Sequence, residues 1–171
     1  MTAILLIQVW QNKTDIFKYG TMKAPSPNQI AWLLPVSIFF HQLEEYFGDF
    51  PLWYSNLLNA QLSNQDFLVI NGVGLFIFTV WALSYYFSKN NLILAALGTL
   101  VFVNGWTHLL LSIFTYAYSP GTITSVVLFI PLGFIIFRKI LPQLRMGEKI
   151  MAIAIGIIVL FVASMVAMTI W

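Results

Sequence analysis

The chain has 171 residues, 60% of them hydrophobic and 8% charged, with a formal net charge of +2. Soluble domains carry roughly 25% charged residues, so this composition describes a membrane protein of one domain. The absence of cysteine and the presence of two histidines exclude disulfides, thiolate metal sites, cysteine nucleophiles and metal pairs held by many histidines. The scattered lysines and arginines exclude a nucleic-acid-binding patch.

At the N-terminus, Ala3 to Trp10 is apolar but too short to span, and it has neither the basic start nor the small-residue cleavage pattern of a signal peptide. Lys13, Asp15, Lys18 and Lys23 follow, then Pro25 and Pro27, which break any helix, and Asn28, a candidate cap for the next. Residues 1–27 read as a basic segment lying on the inner membrane surface.

Residues 28–171 read as a single all-α domain, a polytopic membrane helix bundle. Five spans are expected at about residues 28–47, 67–88, 91–117, 121–138 and 148–170, each near the twenty or so residues that cross hydrocarbon. A short interfacial helix fits between Gly48 and Asp66. Ser88 to Asn91 is a tight turn, and Ser119 or Thr122 is available to cap the fourth span. With five spans, all eight Lys and Arg residues fall on one side, and the opposite loops hold only Asp49 and Asp66. The positive-inside rule then places the N-terminus inside and the C-terminus outside.

The first span ends in His41-Gln42-Leu43-Glu44-Glu45. An acidic side chain at mid-bilayer costs about 2.5–3.5 kcal/mol, so such groups persist where they pair, bind something or move protons. On a helix, Glu44 lies about 60° to one side of His41 and Glu45 about 40° to the other, so the three share a face. His108 in the third span lies at a similar depth, with Asn104 one turn below it. Asn71, Thr122, Thr124 and Ser125 fall in the same outer slab. Gly72 and Gly74 read either as packing glycines or as room for a ligand. The last span has no ionisable residue beyond Met151, and its pairs Ala152/Gly156 and Ala163/Ala167 have the spacing of close helix packing.

His41-Gln42-Leu43-Glu44-Glu45, Asn104-Gly105-Trp106-Thr107-His108 and Tyr118-Ser119-Pro120-Gly121-Thr122-Ile123-Thr124 together resemble the HXXEE family of small bacterial membrane proteins, over about residues 28–137. The resemblance implies an integral protein of the bacterial cytoplasmic membrane with a shared site at His41, Glu44, Glu45, Asn104, His108 and Pro120-Gly121. It implies no particular reaction.

Three physical solutions suit the cluster. A divalent metal, zinc, iron or manganese, takes His41, His108 and one or both of Glu44 and Glu45. Alternatively, one protonated glutamate serves as acid, with a histidine or the other glutamate as base. In the third, the groups neutralise one another and lock two helices together. Asn104 reads either as orienting His108 through a hydrogen bond or as making an interhelical hydrogen bond. Tyr46, Trp53 and Tyr54 read as interfacial anchors. Asn71, Asn104, Tyr118 and Thr122 are the candidates for substrate contact.

The expectation is a membrane-embedded enzyme acting on a lipid or other apolar small molecule by hydrolysis, redox chemistry or isomerisation, with His41, Glu44, Glu45 and His108 as its catalytic groups. The competing classes are a proton- or ion-coupled transporter, disfavoured by the absence of an internal repeat and by the apolar inner halves of the spans, and an accessory subunit. A homo-oligomer is compatible with any of them. An analogy with glutamate-type intramembrane proteases is weak, because no arginine follows the glutamate pair and the asparagine precedes its histidine.

Overall fold

The computed structural model describes residues 25–59 and 61–169, which are helical with short connections and no strand. The expected surface segment, with Lys13, Lys18 and Lys23, lies outside them except for its last residues. The elements are α1 (Pro27–Phe47), the short α2 (Phe50–Leu58), α3 (Asn64–Ser88), α4 (Asn91–Thr115), α5 (Thr122–Gln143) and α6 (Met146–Thr169). Helix α5 is composite. One turn, Thr122–Thr124, passes into a π-helical turn, Ser125–Phe129, then an α-helix, Ile130–Lys139, and a 3-10 turn, Leu141–Gln143.

Four helices, α3 to α6, are long and apolar enough to cross a membrane. Helix α1 is 21 residues long but carries His41, Gln42, Glu44 and Glu45, which lower its mean hydropathy. The described helix limits agree with the expected spans to within three residues, except that α5 runs on past 138 to Gln143.

Local chemistry fixes the helix ends. Ser26, not Asn28, caps α1: its Oγ accepts from the Gln29 N–H, and Gln29 Oε1 accepts from the Ser26 N–H at 2.8 Å. Pro27 fits the first turn because its missing N–H would have had no partner there. Asn28 instead accepts from Lys89 Nζ at 2.9 Å. Lys89 takes a left-handed conformation, φ 53°, to end α3, and Asn90 caps α4 through the Leu92 N–H at 3.0 Å, which makes the expected tight turn.

The bond from Lys89 to Asn28, with Lys139 Nζ to the Pro25 carbonyl and Asn91 Nδ2 to Gln143 Oε1, each 2.9 Å, joins the start of α1, the α3–α4 turn and the end of α5. The helices therefore alternate in direction, and Lys89, Arg138, Lys139, Arg145 and Lys149 gather at one end of the bundle.

Helix α4 is the axis of the core. Leu94, Ala95, Leu97 and Val101 are fully buried, and its neighbours approach closely through glycines. A Cβ at Gly98 would lie 2.5 Å from Ile136 of α5, one at Gly133 2.5 Å from Phe102, and one at Gly156 2.6 Å from the Ala96 carbonyl. The small-residue spacing of the last helix is thus a packing device at Ala152 and Gly156. Ala163 and Ala167 face a cavity instead. Gly72 packs against nothing within 4 Å, and Gly74 lines a cavity, so neither glycine closes a helix contact.

Helix α1 buries the stripe Ile30, Leu34, Ile38, His41 and Glu45, spaced three to four residues apart. The apolar stripe that fixes α1 in the bundle therefore runs on into the polar motif. The same packing that buries three aliphatic side chains carries a histidine and a carboxylate inward.

Candidate functional site

The two adjacent glutamates part company. Glu44 turns to the start of α5, where Oε1 accepts from the Ile123 N–H at 2.8 Å and the Tyr118 hydroxyl at 2.6 Å, and Oε2 accepts from the Thr124 N–H at 2.6 Å. The first N–H groups of a helix have no intrahelical partner and carry its positive dipole end, so a carboxylate suits them. Ser119 and Thr122 were the expected caps, but neither side chain caps α5. Thr122 Oγ1 donates to the Ser119 carbonyl at 2.6 Å, and Glu44 caps α5 from another helix. Tyr118 lies outside the helices. Partial burial, then its bond to Glu44, pushes its phenol up to about 12.

Glu45 points the other way, into the bundle. Its Oε1 lies 3.5 Å from His41 Nε2 and 3.5 Å from His108 Nε2, and all three side chains are buried. The imidazoles stand edge to face, their centroids 4.8 Å apart, and Phe129 lies over His41 at 4.3 Å. The π-helical turn ends at Phe129, and the extra residue it accommodates sets where that ring falls.

The other ring nitrogens are held by the segment between α4 and α5. Thr124 Oγ1 lies 2.9 Å from His41 Nδ1 and 3.2 Å from the Gly121 carbonyl. His108 Nδ1 lies 3.3 Å from Ser119 Oγ. Both imidazoles thus turn Nδ1 to a hydroxyl of this segment and Nε2 to Glu45. Gly121 makes this possible. Its φ is +97°, and a Cβ there would sit 2.7 Å from His41 Cε1 and 3.0 Å from His108 Cε1.

With Nδ1 as the protonated nitrogen of each ring, the two Nε2 atoms and the Glu45 carboxylate oxygen are all acceptors. Charge-assisted N–H to O bonds are shorter, about 2.7–2.9 Å. The edge between two ligands of a four-coordinate metal with bonds of 2.0–2.1 Å is about 3.4 Å. The 3.5 Å separations match that edge. His41, Glu45 and His108 can hold a metal ion, with candidate ligand atoms all within 4.8 Å of one another. Glu44, expected alongside them, lies outside this group.

Two cavities meet at Glu45. One, of about 220 Å³, lies between α1, α3, α4 and α6 and is lined by His41, Glu45, Asn71, Asn104, Gly74 and mainly aliphatic side chains. The other, of about 150 Å³, reaches from Glu45 and Asn71 toward Phe50 and Tyr54 of α2. Asn71 and Asn104, two of the candidates for substrate contact, thus line the larger cavity. Tyr118 and Thr122 are not among the lining residues and hold the α4–α5 segment instead.

Of the two readings of Asn104 the structure shows the interhelical one: its Nδ2, on α4, approaches His41 Nε2 of α1 at 3.4 Å. Gln42 ties α1 to α3 through the Asn71 carbonyl at 2.9 Å. Tyr54, expected as an interfacial anchor, lines the smaller cavity. Thr124 was seen at the right depth but not as the partner of His41, because contacts more than 80 residues apart leave no trace in local spacing.

Helices of this length and hydropathy around a buried group of two histidines and a carboxylate define an integral membrane protein with a polar site in its bundle. Residues 32–136 match the model of a family described as "Protein of unknown function with HXXEE motif". The chain belongs to that family, as the resemblance of its three motifs implied. No curated protein and no solved structure matches it.

Proposed function

We propose that this protein is a membrane-embedded metalloenzyme of the bacterial cytoplasmic membrane, acting on a lipid or other apolar small molecule. His41, Glu45 and His108 hold one zinc, iron or manganese ion. The observation that carries this reading is the convergence of two imidazole Nε2 atoms on one buried carboxylate oxygen, with His41 and Glu45 on the wall of a mainly aliphatic cavity. Two histidines and a carboxylate leave metal positions open for water or substrate, which suits hydrolysis, a redox step or proton-transfer isomerisation. Thr124 and Ser119, beside the two Nδ1 atoms, are the outer partners such ligands use.

In this reading α1 is a fifth span. Its 21 residues are long enough, and its acidic groups are taken up by the trio and by the α5 N-terminus, away from lipid. The basic end of the bundle faces the cytoplasm and the site lies in the outer half. A transport role is less well supported. Below the site, Ser37 and Thr99 spend their hydroxyls on carbonyls of their own helices, at 2.8 and 2.9 Å, and so offer no relay inward.

Metal analysis of the purified protein tests the proposal. One equivalent of zinc, iron or manganese is expected, lost in Glu45→Gln and in His108→Ala but kept in Glu44→Gln. Protein that takes up none of the three ions on supplementation overturns the metal site.

A further inference from the structure

The two cavities form one slot. They share Glu45, Ile70, Asn71 and Ala163 as walls, and the residues on either side of these run in order along the helices. On α3 the lining extends from Phe67 to Phe78, and on α6 from Val159 to Ala167. At 1.5 Å per residue the slot is about 12–16 Å long and parallel to the helices, and therefore parallel to lipid chains. Each chamber is as large as, or larger than, the engineered apolar cavity of about 150 Å³ that admits a benzene.

The polar groups are unevenly placed. Beyond Asn104, the chamber toward the basic end is walled by Ile77, Phe78, Leu100 and Val159. The opposite chamber has Glu45, Tyr54 and Asn71 among its mainly apolar walls. Its Tyr54 phenol is pushed up by burial, so it remains a neutral donor. Glu45 stands where the chambers join.

We infer that the site takes a single-chain amphiphile lying parallel to the helices: hydrocarbon in the larger chamber, a small uncharged polar head in the smaller, and the bond next to the head beside Glu45. The occupant enters sideways from the bilayer between α3 and α6. Gly74 on one wall has no side chain, and Ala163 on the other has only a methyl, so the smallest residues of the lining stand at the passage. This inference rests on the enzyme reading for its chemistry, but binding in the slot is independent of the metal.

The test uses full-length protein in lipid nanodiscs and two photoreactive medium-chain fatty alcohols, one with its diazirine at the chain end and one beside the hydroxyl. Cross-links are mapped by mass spectrometry. The chain-end probe is expected on Phe78, Leu100 or Val159, and the head probe on Phe50, Tyr54 or Ala167. Ala163→Trp, or Gly74→Phe from the opposite wall, should cut both labels at least fivefold without changing metal content. Excess unlabelled fatty alcohol and excess prenyl alcohol, used separately, should show which kind of chain the slot prefers. Labels spread over the lipid-facing surfaces and indifferent to both variants would overturn the slot, as would competition by neither alcohol. Specific labelling of metal-free protein would remove the metal reading and keep the slot; stoichiometric metal with diffuse labelling would do the reverse.

Discussion

Replacing Gly121 by alanine should damage both the fold and the site through one methyl group. A non-glycine residue in the left-handed region costs about 1–2 kcal/mol, and Gly121 has a φ of +97°. The new Cβ would also lie 2.7 Å from His41 Cε1 and 3.0 Å from His108 Cε1, where neither ring can retreat freely. His41 is stacked on Phe129 at 4.3 Å, and His108 faces Phe50 at 6.0 Å. Overpacking of this kind costs about 1–3 kcal/mol. Together the two effects predict a loss of about 2–5 kcal/mol. If the segment shifts instead, the two Nε2 atoms separate, and metal affinity falls tenfold for each 1.4 kcal/mol. Unfolding by denaturing detergent, followed by circular dichroism, reads the first quantity, and competition with a chromophoric chelator reads the second. Gly72→Ala is the control. Nothing lies within 4 Å of its new methyl, and in a helix alanine is favoured over glycine by up to about 1 kcal/mol. If Gly121→Ala matched Gly72→Ala in both assays, the contact between the α4–α5 segment and the two rings would not hold the site together.

Thr124→Val keeps the Thr124 backbone bond to Glu44 but removes the hydroxyl partner of His41 Nδ1, so metal affinity should fall about 10–100-fold with little change in helix content by circular dichroism. Tyr118→Phe removes a bond to a carboxylate at 2.6 Å; because Tyr118 is half exposed, the expected loss of stability is about 1 kcal/mol, measured by the same unfolding assay. The phenol of Tyr118 titrates at about 12 in the folded protein, above its ordinary value of 10.0. The folded state therefore holds the proton that the unfolded state releases, and this contribution is complete below pH 10 and lost as pH rises toward 12. Comparing unfolding of Tyr118→Phe and the parent across that window should show the parent's advantage vanishing. Gly156→Leu should be worse than any of these, by more than about 3 kcal/mol, because even its Cβ meets the Ala96 carbonyl at 2.6 Å; an unchanged unfolding midpoint would contradict the α4–α6 packing.

The helices were legible because hydropathy and breaker residues are local signals. Pro27, the Lys89-Asn90 turn and the Pro120-Gly121 corner lie where the chain reverses or a helix begins. The pairing of His41 with His108 could be read from depth alone, since alternating helices with known ends share a vertical scale. The separate fates of Glu44 and Glu45 could not. They lie 100° apart on α1, and only the identity of the neighbour on each side, the α5 N-terminus for one and two imidazoles for the other, assigns their work. Of the two readings of Asn104, spacing could not choose for a related reason. One turn from His108 on the same helix is close in sequence, but the Asn104 amide reaches across to α1. The π-helical turn that sets Phe129 against His41 has no sequence signature among ordinary apolar residues. Gly72 and Gly74 show the limit of composition, since a small residue leaves space whether or not a neighbour fills it.

Helix α6 is anchored unevenly. Among its described residues the buried ones are Ala152 and Gly156, both in the first half, and Phe161 to Val166 is exposed. Ala163 and Ala167, in the less buried half, line the smaller cavity. On the opposite side, α1, α4 and α5 are fastened together by Glu44, Thr124 and the two imidazoles. The cavity therefore has one wall tied by hydrogen bonds between helices and another made of small side chains on an exposed stretch of a single helix.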